Sequence, residues 1–172
     1  VNGNQTLKDK VMKVSGIKYE DFVNYKKPSM YIGTIKCSGK CWRELGLPST
    51  ICQNDELNDC KVTDIDDDVL CRTFIRNPIT KAVVIGGLEP FDQFGEVAQF
   101  IMKLRKEYDC EDDVVIYTGY YPHEIDDMLD YLKKYSNIII KFGRYVPNDE
   151  PLEDAVLGIT LASSNQYAVK IS

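Results

Sequence analysis

Runs of apolar, β-branched residues alternate along this chain with segments whose apolar residues recur at helical spacing. The runs predict strands at residues 29–35, 82–85, 114–117 and 137–142, with a last strand in the apolar tail at residues 156–161. The spaced segments predict helices at residues 63–77, 94–108 and 125–132. The run at 82–85 has no polar face, which is typical of a strand buried on both sides. Strands that alternate with helices in this way predict βαβ units and a parallel sheet.

The number of these units indicates what kind of parallel sheet to expect. About four or five βα repeats are fewer than the eight that close a barrel, and right-handed crossovers wind them all in one sense. We therefore predict an α/β fold, a partial (open) βα barrel of parallel strands with outer helices. The length of 172 residues suits one domain, so we assign residues 1–172 to a single domain with a long cysteine loop at residues 36–61.

Composition narrows the possible functions mainly by exclusion. The net charge of −6 argues against nucleic-acid binding, because phosphate contacts need clustered Lys and Arg. We expect no membrane association and a cytoplasmic location, since no apolar run approaches a membrane span and no leader pattern opens the sequence. The single histidine, His123, argues against catalytic zinc sites that are rich in histidine.

The cysteine loop is the most distinctive stretch of the sequence. Cys37, Cys41 and Cys52 follow directly on the first predicted strand. Thiolates are soft ligands that suit iron–sulfur clusters and zinc. Three of them would leave one iron of a four-iron cluster open to a substrate or cofactor. Two other interpretations stay open: a closed structural zinc site that also uses Cys60, and ordinary free thiols.

Each later strand is followed by a short segment that is rich in glycine, hydroxyl, amide or charged groups. These segments are Gly86-Gly87-Leu88-Glu89-Pro90, Thr118-Gly119-Tyr120, Gly143-Arg144-Tyr145 and Ser163-Ser164-Asn165-Gln166. Ligands of parallel α/β folds gather at the carboxyl ends of the strands, so we expect these segments on one rim. Glycines let a ligand approach the backbone closely, and Glu89 is suited to hold a cation such as an amino-acid ammonium.

Taken together, these motifs resemble the radical S-adenosylmethionine family. Residues 30–54, which end in Cys52-Gln53-Asn54, resemble the cluster loop of that family, and residues 86–90 resemble its glycine–glycine–glutamate–proline motif. Within the family, residues 115–120, 142–145 and 163–166 resemble, in order, segments of the activating proteins of anaerobic ribonucleoside-triphosphate reductases. The resemblance extends from about residue 29 to residue 166.

The resemblance implies a radical-SAM-type barrel with a [4Fe-4S] cluster that binds S-adenosylmethionine through its open iron. The reduced cluster would cleave this cofactor to methionine and a 5′-deoxyadenosyl radical. The radical would then generate a glycyl radical on an anaerobic ribonucleotide reductase, whose glycyl-radical subunit is the expected partner, with flavodoxin or ferredoxin as electron donor. The resemblance assigns no catalytic residue. The residues it does assign are Cys37, Cys41 and Cys52 as metal ligands, and Gly86, Gly87, Glu89 and Thr118 as cofactor contacts.

The chain departs from the family pattern in three places. The family spacing C-x3-C-x2-C is C-x3-C-x10-C here, so Glu44 stands where the family has its third cysteine. Leu88 is inserted before Glu89, and Lys141-Phe142 replaces an acidic residue. Two alternative functions therefore stay open: a radical S-adenosylmethionine enzyme that acts on another substrate, and a non-catalytic module that holds zinc or a passive cluster.

Three further residues have structural interpretations beside functional ones. Cys71 lies in a helical pattern beside apolar residues, so we expect it in the core. Arg144 is suited either to a carboxylate of the cofactor or partner, or to a surface ion pair. Trp42 either shields the cluster from water or contacts a partner.

Overall fold

The computed structural model describes residues 11–172 of the chain; the first ten residues of the predicted domain lie outside this range. The strands are β1 (Val11–Val14), β2 (Gly16–Asp21), β3 (Ser29–Thr34), β4 (Thr63–Asp66), β5 (Ala82–Gly87), β6 (Asp113–Tyr117), β7 (Ile138–Phe142), β8 (Leu152–Asp154), β9 (Ile159–Leu161) and β10 (Tyr167–Lys170). The helices are α1 (Lys40–Arg43), α2 (Asp67–Arg76), α3 (Phe94–Lys106) and α4 (Asp126–Leu132). Short 3-10 turns occupy Ser49–Ile51, Asp55–Asp59, Pro90–Gln93 and Pro122–Glu124.

Six strands form the main sheet in the order β2–β3–β5–β6–β7–β10. The four central strands, β3, β5, β6 and β7, run parallel, and each lies beside the strand that precedes it in this series. β2 and β10 are antiparallel to their neighbours and form the two edges. The fold is therefore mixed α/β with a mostly parallel sheet. Its curvature into an open barrel stays a prediction.

Two apolar cores lie on opposite faces of this sheet, because successive strand side chains point to opposite sides. One core joins strand residues such as Ile85, Ile116 and Ile140 to the buried sides of α2, α3 and α4. The other joins the intervening residues, such as Val84 and Val115, to the segment around the β8–β9 hairpin. The helices therefore cover one face, and the hairpin covers part of the other.

Two segments differ from the elements that the sequence predicts. Residues 63–66 form strand β4, paired with β1, and the helix begins only at Asp67. The Asp66 carboxylate caps this helix by accepting hydrogen bonds from the backbone N–H groups of Asp68 and Val69. The apolar tail at 156–161 contributes β9 to a separate hairpin with β8, and β10 is the last strand of the main sheet.

The segment at residues 163–166 nevertheless lies on the predicted rim, although for a different reason. It precedes an antiparallel strand, β10, instead of following a parallel one. The start of an antiparallel strand lies at the same edge of a sheet as the ends of its parallel neighbours. Consistent with this, the Gln166 side chain donates a hydrogen bond to the backbone oxygen of Gly143, 3.2 Å away at the end of β7.

The cysteine loop at residues 36–61 has regular structure of its own. It contains α1 and the 3-10 turns Ser49–Ile51 and Asp55–Asp59. None of the helices within residues 11–172 has the length and apolar character needed to span a bilayer.

Candidate metal and cofactor site

A cavity of about 340 Å³ opens where the parallel strands end, on the side of the sheet that carries the hairpin. Cys37, Cys41 and Cys52 all line this cavity. Cys37 precedes α1, Cys41 lies within α1, and Cys52 follows the 3-10 turn Ser49–Ile51. The loop therefore folds back far enough to bring all three predicted ligands to one cavity, despite the long spacing before Cys52.

Cys60 takes no part in this arrangement. It is exposed, and its thiol donates a hydrogen bond of 3.7 Å to the backbone oxygen of Glu56. Among residues 11–172, no three His, Cys, Asp or Glu side chains are grouped closely enough to hold a single metal ion. Cys60 therefore does not line the cavity with the other three thiols. Thiolates that each bind a different iron of a cluster need not converge on one point, so the three cavity thiols are compatible with a four-iron cluster.

The end of β5 supports the cysteine loop directly. The Asn54 side-chain amide donates a hydrogen bond of 2.7 Å to the backbone oxygen of Gly87. Gly87 has a φ of +92°, and a Cβ there would lie 2.8 Å from the backbone nitrogen of Thr34. A Cβ on Gly86 would lie 2.8 Å from the Tyr31 hydroxyl. Gly87 is therefore required by the packing of the strand end, and Gly86 leaves room for the Tyr31 side chain. Gly87 lines the cavity, whereas Gly86 does not.

Glu89 is a buried carboxylate in the cavity wall. It is 5% exposed, and it accepts hydrogen bonds from the Thr118 hydroxyl at 2.8 Å and from the backbone N–H groups of Gly119 at 2.9 Å and Phe91 at 3.1 Å. Burial raises the pKa of Glu89 to about 7, although these hydrogen bonds oppose the rise. Within residues 11–172 no Lys, Arg or His forms an ion pair with it. Such a group favours a cationic ligand.

Thr118 acts on Glu89 in this structure. Besides its bond to that carboxylate, its hydroxyl accepts a hydrogen bond of 3.0 Å from the backbone N–H of Tyr120. A Cβ on the next residue, Gly119, would lie 3.1 Å from the Cys41 sulfur and 3.6 Å from Glu89 Oε2. The absence of a side chain at Gly119 therefore leaves room for both the thiol and the carboxylate.

Two of the cavity thiols, Cys37 and Cys41, lie in surroundings that favour their protonated form when no metal is bound. Burial raises the pKa of the Cys37 thiol to about 11, although the backbone N–H of Gly39 donates to its sulfur at 3.3 Å. Burial likewise raises the pKa of Cys41. Because the thiolate is the metal ligand, cluster binding here would release protons.

The family model described as the 4Fe-4S single cluster domain matches residues 37–167, which is most of the chain. The chain belongs to this family. It is therefore an iron–sulfur protein, and the match begins at Cys37, the first thiol of the cavity. A search of curated proteins finds no match.

In this 4Fe-4S single cluster domain, a network of ion pairs fastens α1 to the rim. Arg144 is 7% exposed, and its guanidinium donates hydrogen bonds to Glu124 at 2.6 Å and to Glu44 at 2.9 Å. The Lys40 ammonium donates to Glu124 at 3.0 Å. Lys40 and Glu44 flank Cys41, so the network fixes the helix that carries this thiol. Arg144 thus forms ion pairs within the chain, and its guanidinium is largely buried.

Lys141 is a charged cavity residue to which the sequence motifs assign no role in binding. It lies in β7, lines the cavity and is 8% exposed. Its ammonium donates a hydrogen bond of 3.3 Å to the backbone oxygen of Gly143 and lies 5.8 Å from the centre of the Tyr117 ring. The sequence signal that would have found it is a lone charge inside an apolar strand, Ile138–Phe142.

Proposed function

We propose that this 4Fe-4S single cluster domain is a radical S-adenosylmethionine enzyme. When bound, a reduced [4Fe-4S] cluster with one open iron supplies the electron that cleaves S-adenosylmethionine to methionine and a 5′-deoxyadenosyl radical. The observation that carries the proposal is that three thiols and a buried carboxylate, Glu89, line the same cavity.

The number of thiols supports an open iron. Cys37, Cys41 and Cys52 line the cavity, and the nearest additional cysteine in the sequence, Cys60, is directed to the backbone of Glu56 instead. Three protein ligands leave one coordination position for another molecule, by the same logic that separates open catalytic metal sites from closed structural ones.

Glu89 supports binding of the amino-acid end of the cofactor. Its carboxylate is fixed by three donors that are all neutral, so an ammonium group would supply the countercharge. Gly87 offers backbone at the same wall without a side chain that would obstruct the ligand, and the resemblance adds Gly86 as a second cofactor contact. We assign Thr118 to orienting Glu89, since its hydroxyl is already bonded to that carboxylate.

We further propose that the radical acts on the glycyl-radical subunit of an anaerobic ribonucleotide reductase in the cytoplasm, with flavodoxin or ferredoxin as electron donor. The support is that residues 115–120, 142–145 and 163–166, which resemble segments of reductase-activating proteins, contact one another on the rim. The Asn165 amide donates to the backbone oxygen of Arg144 at 2.8 Å and to the Tyr121 hydroxyl at 3.0 Å. The protein contributes positioning here, and the cofactors contribute the chemistry.

Anaerobic electron paramagnetic resonance tests the first part of this proposal. The chain is reconstituted with iron and sulfide, reduced, and measured with and without S-adenosylmethionine. We expect the cofactor to change the cluster spectrum and 5′-deoxyadenosine to accumulate under reducing conditions. A spectrum that the cofactor leaves unchanged, with no 5′-deoxyadenosine, would point to a passive cluster.

The partner is tested separately, once cleavage has been established. The reduced protein is mixed with S-adenosylmethionine and an anaerobic ribonucleotide reductase from the same source. A glycyl-radical signal on the reductase supports the activating role. Cleavage of S-adenosylmethionine without that signal would favour another substrate.

A further inference from the structure

The strand register directs Lys141 into the cavity. On β7, Ile138, Ile140 and Phe142 belong to the core beneath the helices, whereas Ile139 belongs to the core on the hairpin side. Because side chains alternate along a strand, Lys141 shares the face of Ile139. This is the face on which the cavity opens.

Lys141 is buried without a carboxylate partner in the described chain. A second lysine, Lys103, has the same exposed fraction of 8% and provides a direct comparison. The Lys103 ammonium lies 2.6 Å from an Asp68 oxygen and 3.6 Å from a Glu107 oxygen. Within residues 11–172, Lys141 forms no ion pair, and its hydrogen bond goes to a neutral backbone oxygen. A buried ammonium is costly unless an anion accompanies it.

The pKa of Lys141 also indicates that its ammonium lacks a counterion. Burial lowers the pKa of Lys141 to about 8, and the Cys41 and Glu89 side chains oppose that change only when they are ionised. The amine therefore stays mostly protonated at neutral pH but lacks a strong counterion. An anion that entered the cavity would both supply the missing charge and hold the proton on the amine.

We propose that Lys141 forms an anion-binding subsite of the cavity, which takes the carboxylate or phosphate group of a small ligand. The cavity, of about 340 Å³, suits a small molecule or part of one. Glu89 lines the same cavity with the opposite charge, so a ligand with both an ammonium and an anionic group would satisfy both residues.

The anionic group has two possible sources, and they share one chemistry. It is either the carboxylate of S-adenosylmethionine or the carboxylate or phosphate of a separate substrate. The first source rests on the proposed function, whereas the subsite itself can be tested on the metal-free chain.

Protection of the amine from acylation tests the subsite. The full chain, metal-free and cluster-loaded, is treated with a neutral acylating reagent at pH 8, and the modification of Lys141 is followed by peptide mass spectrometry. The probes are S-adenosylmethionine, its decarboxylated analogue and inorganic phosphate. At a probe concentration about ten times its dissociation constant, we expect Lys141 to react roughly tenfold more slowly. Lys133, which is exposed and paired with Asp130, is the internal control and should react at an unchanged rate.

Each pattern of protection has a distinct meaning. Protection by S-adenosylmethionine but not by its decarboxylated analogue assigns the subsite to the cofactor carboxylate. Protection by phosphate, with none by S-adenosylmethionine, assigns it to a separate anionic ligand. Equal protection by both nucleosides with none by phosphate overturns the proposal, as does the absence of any protection.

Two variants separate charge from shape. Lys141→Met removes the ammonium and should weaken binding of the protecting probe about tenfold or more, whereas Lys141→Arg keeps the charge and should retain much of the affinity. Wild-type affinity in Lys141→Met would overturn the proposal. Because phosphate binding to the metal-free chain needs no cluster, failure of the subsite and failure of the cleavage reaction give different results.

Discussion

Arg144 Nη2 lies 2.9 Å from Glu44 Oε1 across the mouth of the cysteine loop. Glu44 follows Cys41 by three residues, the position at which the family that this chain resembles has its third cysteine. The chain thus uses this position for an ion pair to the rim, and the third thiol of the cavity comes from Cys52. The longer loop therefore supplies the third thiol from Cys52, while Glu44 binds the loop to the rim through Arg144.

The proposed ligand set predicts different effects for two cysteines of the same loop. Cys52→Ala should abolish cluster binding, because it leaves two thiols in the cavity. Cys60→Ala should leave binding unchanged, because the Cys60 thiol contacts the backbone of Glu56. Iron and sulfide per chain after anaerobic reconstitution measure both effects. Equal loss in the two variants would indicate a four-cysteine site.

Asn54 is predicted to stabilise the loop against β5. Asn54→Ala removes the hydrogen bond to Gly87, so we expect the free energy of unfolding to fall by about 1 kcal/mol. Asn58→Ala is the matched control, since the amide of the exposed Asn58 contacts only Asp55 in the same loop and its loss should change stability by less than about 0.5 kcal/mol. Urea unfolding of the metal-free variants measures the difference. Equal effects would show that the contact with Gly87 contributes little.

Two glycines predict opposite results on substitution by alanine. Gly87→Ala should destabilise the fold by more than about 1 kcal/mol, because φ is +92° and the new Cβ would lie 2.8 Å from the Thr34 nitrogen. Gly95→Ala lies in α3 with no atom within 4 Å of the new Cβ, so it should stabilise by about 0.4–1 kcal/mol. Thermal and urea unfolding of the two variants provide the comparison. A neutral Gly87→Ala would show that the strand end can relax.

The predictable parts of this molecule depend on local patterns. The all-apolar run at Ala82–Gly87 predicts a strand that is buried on both faces. The helical spacing at Phe94–Lys106 predicts a helix with one apolar stripe. Because parallel strands end at one edge of a sheet, the sequence predicts that Glu89 and Thr118 lie close together. In the structure the Thr118 hydroxyl donates a hydrogen bond of 2.8 Å to Glu89.

The unpredicted parts depend on partners that are distant in sequence. Thr63–Asp66 carries the charges of a helix start, but pairing with Val11–Val14 makes it a strand. One of the two ion-pair partners of Arg144, Glu44, is one hundred residues away, and no local signal in the sequence links them. A lone lysine in β7 does not reveal which face it occupies until the register is known.

The Glu124–Arg144 ion pair predicts a pH dependence of stability. The Arg144 guanidinium lowers the pKa of Glu124 from 4.5 to about 2. Since the folded-state pKa is below the unfolded value, the ionised carboxylate stabilises the fold above about pH 4.5, and this contribution is lost as the pH falls toward 2. Glu124→Gln should therefore be less stable than the wild type at pH 6 and nearly equal to it near pH 2. A stability difference that is constant across this range would contradict the prediction.

Lys141 predicts a gain in stability when its charge is removed. Replacing a buried ammonium that lacks an anion with a side chain of similar length removes a desolvation cost, so Lys141→Met should raise the free energy of unfolding by roughly 1 kcal/mol or more in the metal-free chain. Lys103→Met is the matched control: it is equally buried, but it leaves Asp68 without its ion pair and should destabilise the fold. Urea unfolding of both variants at pH 7 gives the comparison. Similar destabilisation of the two variants would mean that Lys141 stabilises the fold. The buried ammonium would then be no argument for an anionic ligand.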